Sequence, residues 1–170
     1  DDGRPVRLTQ QDRGAQGALR LAAPAHAATI ELTGTVRDFR DWHADFQAYT
    51  GNDRGIIATD LGEDDRPVLL TDGSDTITSQ ATFAQWYNDV FDVNQAFTVE
   101  LPLVERDGLY SYLSDAFFPI DGRFFGNEGN NHNFHFTTEI HAWFQYQGGE
   151  TFTFTGDDDV WVFINGHLII

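Results

Sequence analysis

From Thr29 to Phe39 apolar and polar residues alternate, the two-residue period of a half-buried strand, and the folded domain is expected to begin there. The period returns at Phe97–Leu101 and runs longest from Asn133 to Gln147. In that stretch Phe134, Phe136, Thr138, Ile140, Ala142, Phe144 and Tyr146 point one way, and His135, Thr137, Glu139, His141, Trp143 and Gln145 the other. Gly148-Gly149 then turns the chain into Phe152–Thr155. Val160–Ile164 is wholly apolar, the mark of a strand buried on both faces, and Asn165-Gly166 predicts a type I′ hairpin turn into His167–Ile170. Helical spacing is confined to two segments. Asp41–Tyr49 carries Trp42, Phe46 and Tyr49 and is stopped by Gly51-Asn52-Asp53, and a helix capped by Ser79 runs to about Val90 with Phe83, Trp86, Tyr87 and Val90 on one side. The pattern predicts a mainly β fold, an antiparallel β-sandwich with one or two short helices in its N-terminal part.

Composition narrows the function classes. The 170 residues are 41% apolar and 14% aromatic, enough for one domain with a real core. Against 27 acidic residues stand 10 basic ones, all Arg, for a formal charge of −17. Such a chain repels nucleic acid and anionic membrane surfaces, and it suits either a secreted protein that recruits cations or one adapted to high salt. Cysteine is absent, so neither disulfides nor thiol chemistry enter. The chain has no Met and is still apolar at Ile170, which marks it as a processed product or a segment that continues further. Residues 1–28 are read as a flexible leader, with Ala25-His26-Ala27 resembling a signal-peptide cleavage box, and residues 29–170 as the domain.

Candidate chemistry centres on Asp157-Asp158-Asp159 at the mouth of the Val160–Ile164 strand. Three adjacent carboxylates repel one another, and a hard divalent cation with oxygen ligands relieves that repulsion; a solvated acidic turn is the plain alternative. His135, Glu139 and His141 lie on one face of a strand, but residues four apart are about 13 Å distant, so a polar sheet face explains them better than a metal cage. Trp143, on that polar face, is the better candidate for stacking on a sugar ring, while Trp161 belongs to a buried run. No nucleophile elbow, phosphate loop or zinc helix occurs, and no enzyme is indicated.

Five segments in order, Ile30–Phe39, Phe83–Val90, Phe117–Gly122, Asn133–His141 and Phe144–Gly166, resemble the fibro-slime domain. The same motifs occur in the extracellular domains of the prespore-inducing factor proteins of social amoebae. The set is similar in turn to the protective-antigen-type (PA-fourteen) lectin module of flocculins, adhesins and some glycosidases. The resemblance implies a β-sandwich in which two adjacent Asp residues hold calcium, and the calcium holds vicinal sugar hydroxyls. The matching pair is Asp157 and Asp158, with Asp159 standing where many lectin members have Gly, and Asn165 as a polar contributor nearby. The expectation is a non-catalytic, secreted or cell-surface module that binds a carbohydrate or glycoconjugate through calcium. The rivals are a structural module of a matrix, fibre or filament that contacts neighbouring copies, and a targeting module on a hydrolase.

Overall fold

The computed structural model describes residues 3–12, 17–22, 29–46, 53–106, 109–145, 152–156 and 159–170. Among the described residues nine strands form one antiparallel sheet: β1 (Gly3–Asp12), β2 (Gly17–Ala22), β3 (Thr29–Phe39), β4 (Asn94–Arg106), β5 (Leu109–Ser114), β6 (Phe136–Gln145), β7 (Phe152–Gly156), β8 (Val160–Ile164) and β9 (His167–Leu168), in the order β7-β2-β5-β4-β3-β6-β1-β8-β9. The mainly β, antiparallel class is borne out, with the described strands joined by hydrogen bonds into one sheet. Two of them, β1 and β2, lie within the stretch read as a leader, and both are paired on two sides.

Register explains how the strands divide their side chains, because residues directly opposite in an antiparallel pair share a face. Val36 lies opposite Phe97 and Thr138, and Gly34 opposite Val99 and Ile140. This face carries one apolar cluster, in which Leu32, Val36, Leu101, Phe136, Ile140 and Val162 are buried with Tyr110 of β5 and Ile120 of the β5–β6 loop. The strands pass close here: a Cβ on Gly34 would lie 3.0 Å from both the Glu139 carbonyl oxygen and Ile140 Cγ1. The opposite face carries a second cluster. There Phe39, Trp161 and Phe163 pack with Phe46, Ile57, Leu69, Ile77, Phe83, Trp86 and Tyr87, all from the chain between β3 and β4.

That second layer also covers the polar face of β6. Thr137 and Glu139 are buried along with Phe136, Thr138 and Ile140, so both faces of its first half are covered. Only toward its end does the outer face open, at His141 and Trp143.

The two helical segments differ from expectation in length. Helix α1 (Gln80–Gln85) begins where Ser79 was expected to cap it, the Ser79 hydroxyl accepting from Thr82 N and the Thr82 hydroxyl from Ser79 N. It ends well before Val90 because side-chain amides take its last carbonyls: Asn88 Nδ2 donates to Ala84 O at 2.7 Å and Asn94 Nδ2 to Gln85 O at 2.8 Å. Residues 41–46 form turns rather than a helix, with His43, Asp45 and Phe46 buried and Trp42 exposed; the rest of the expected segment, to Tyr49, lies outside the described residues. Asp45 is drawn inward by Trp86 Nε1 at 3.0 Å and Thr78 N at 2.8 Å, which helical spacing did not foresee. Replacing Ser79 by Ala is expected to lower stability by about 1 kcal/mol, read as a lower urea midpoint at unchanged slope. An unaltered midpoint would show the cap to be idle.

Candidate ligand site beside the acidic hairpin

Strand β8 starts directly after the acidic run. Asp159 is described and exposed, whereas Asp157 and Asp158, the expected calcium pair, lie outside the described residues. Beyond β8, Asn165 (φ 52°) and Gly166 (φ 79°) are both left-handed, as a type I′ turn requires, and the turn pairs Ile164 with His167. The chain at 59–61 borders this hairpin: Leu168 N donates to Thr59 O, Leu61 N to Gly166 O, and His167 meets the Asp60 carboxylate at 2.5 Å.

Between segment 53–57 and the hairpin lies a cavity of 470 Å³, lined by Asp53, Arg54, Ile57, Asp159, Trp161, Leu168 and Ile170 among others. Its lining is mixed, apolar at Ile57, Val160, Trp161, Leu168 and Ile170 and charged at Asp53, Asp159 and Arg54. Asp53 is fixed by Thr76, whose N–H and hydroxyl both donate to Oδ2 at 3.0 Å. The Ser74 hydroxyl foremost, then Thr76, holds its carboxyl below the usual range, so it is an anion at neutral pH. Two carboxylates, Asp53 and Asp159, thus share this cavity with the guanidinium-bearing Arg54, and carboxylate oxygens are hard donors of the kind that suit calcium rather than a soft metal. Among the described residues alone, no three His, Asp or Glu side chains converge as a cage.

The expected contributors do not all meet. Asp159 and Asn165 flank β8 at opposite ends, six residues or about 20 Å apart along the strand. Trp143 is 72% exposed. It pairs with Pro5, next to Val6, which pairs with Ile164, so Trp143 sits at the Asn165 end of the sheet, away from Asp159. Trp161, read as a core residue, is buried and lines the cavity as well. Asp53 was read in the sequence only as part of a helix stop; the fold brings it to the hairpin from over a hundred residues away.

The polar residues of β6 serve other contacts. Glu139 Oε2 accepts from Arg37 Nη1 and its Oε1 meets His141 Nε2, both at 2.9 Å, while Arg37 Nε donates to Asp89 at 2.9 Å. His135 Nδ1 lies 3.7 Å from Glu128. At the end of β3, Asp38 is wholly buried and accepts from Asn133 Nδ2 at 2.8 Å and Phe125 N at 2.9 Å. Burial, outweighing those hydrogen bonds, pushes its carboxyl up to about 6.

No helix among the described residues is long and apolar enough to cross a membrane. No protein-family model matches the chain, and no solved structure does. Curated relatives are found, however. The chain is 41% identical over 133 residues to protein psiQ of Dictyostelium discoideum, covering 69% of this chain and 14% of psiQ. It is 39% identical over 161 residues to psiD, covering 84% of this chain and 32% of psiD, and 38% identical over 135 residues to psiC, covering 69% and 26%. The chain thus spans under a third of these relatives' length. The outcome agrees with the resemblance to prespore-inducing factor proteins: this chain is a homologue of one segment of the Dictyostelium psi proteins.

Proposed function

We propose that the chain is a non-catalytic extracellular module of the fibro-slime and protective-antigen-type lectin kind, binding a carbohydrate through calcium at the acidic hairpin. The observation that carries this reading is the cavity beside β8, whose lining brings Asp53 and Asp159 together with Arg54, Trp161 and Leu168. Calcium there would be held by Asp157 and Asp158, with Asp53 and Asp159 as the nearest described carboxylates. An aromatic wall suits the apolar face of a sugar ring, and a bound cation suits its hydroxyls.

Calorimetric titration of the chain with CaCl₂ is expected to show one site of about 0.1–1 mM, the range of extracellular calcium modules. Asp158→Asn should abolish that heat. An identical isotherm in the variant would refute the assignment, and a glycan array developed with calcium or with chelator separates sugar binding from ion binding alone.

A further inference from the structure

The loop between β5 and β6 is fastened to the end of β3 through two carboxylates, Asp38 on the strand and Glu128 on the loop. Both carboxylate oxygens of Asp38 are taken by it, one by Asn133 Nδ2 and one by Phe125 N. Asn133 N donates to Asp121 Oδ1 at 2.7 Å, and Asp121 Oδ2 meets His132 Nδ1 at 2.6 Å. His132 also stacks on Phe118 at 3.8 Å between ring centroids. Glu128 accepts from Arg40 Nη1 at 3.2 Å and from Asp41 N at 2.5 Å, and His135 lies beside it. Within this loop Phe124 (φ 51°) and Glu128 (φ 47°) are left-handed, a conformation that side chains of their size keep only when contacts hold them.

We propose that residues 121–133 form a proton-tightened latch, closed more firmly on β3 at mildly acidic than at neutral pH. The charged groups facing Asp38 are Glu128 from the loop and Arg40 from its own strand's exit, with Asp121, His132 and His135 one contact further out. Burial first, with the Glu128 charge adding, raises the Asp38 carboxyl from 3.8 to about 6 against the lowering effects of Asn133, Phe125 and Arg40. When the loop lifts, Asp38 meets water and returns to its ordinary value. The closed form therefore holds the proton more tightly, and by linkage the proton favours closure: the gain is complete below about 4 and is lost as pH rises through about 6.

Hydrogen exchange of the chain at pH 5 and pH 8, each rate divided by the intrinsic rate at that pH and measured in chelator so that the acidic hairpin takes no part, tests this. Protection at the 122–129 amides should fall by about tenfold or more on going to pH 8, since each unit of pKa displacement is a factor of ten. Asp38→Asn, neutral and close in shape, should reduce that change to less than about threefold. Equal protection at both pH values, or an undiminished change in the variant, would overturn the latch. If the variant fails to fold, the Asp38 carboxyl carbon in the wild-type protein decides by NMR: a midpoint near 6 supports the latch, and one near 4 overturns it.

Discussion

Replacing Glu139 by Ala is expected to cost about 3–5 kcal/mol, because it strips a buried Arg of its buried counter-ion. Arg37 and Glu139 are both nearly inaccessible, with their side chains 8% and 7% exposed. Among the described residues Arg37 would keep Asp89 as its ion-pair partner, which is largely in water and compensates a buried guanidinium poorly. Urea denaturation of Glu139→Ala, Arg37→Met and the combined Arg37→Met/Glu139→Leu variant checks the cause. The double replacement should be milder than the single Glu139→Ala, since no unpaired charge remains. Loss of under about 1 kcal/mol in Glu139→Ala would mean that water already reaches the pair.

Trp86→Ala should be as damaging, at about 3–5 kcal/mol from the cavity alone. The indole is wholly buried, with ring centroids of Phe83, Trp161 and Phe46 at 5.1, 6.1 and 6.2 Å, and its Nε1 is a donor to the buried Asp45. Trp86→Phe separates the two effects: it fills most of the space but leaves Asp45 short of a donor, at about 1–3 kcal/mol. Domains of this kind have about 5–15 kcal/mol in total, so Trp86→Ala should remove a large share of it and lower the urea midpoint markedly. A Phe variant as weak as the Ala variant would place the whole effect on the carboxylate.

Period-two alternation made β3 and β6 legible, and Asn165-Gly166 marked the β8–β9 turn, because these signals are local. What escaped was long-range. Nothing near Glu139 announces that Arg37, 102 positions earlier, will pair with it, and burial of a strand's polar face depends on the distant layer that carries Trp86. The helix from Ser79 was read too long because its C-terminal stop is made by side chains of Asn88 and Asn94, not by Gly or Pro. Of the site residues, Asp159 reaches the cavity while Asn165 and Trp143 sit at the far end of β8 and its neighbours: closeness in sequence is not closeness along an extended strand. The segments that carried the family resemblance do meet, at Asp38, Asp121 and Asn133.

The 59–61 segment beside β9 bears on how copies of this module could associate. A fibril that grows by recruiting extended chains needs a margin of unsatisfied amides. At β9 that margin is already taken by Thr59, Asp60 and Leu61. Polymerisation through this border would first have to peel that segment away, so β9 offers no open margin for runaway templating.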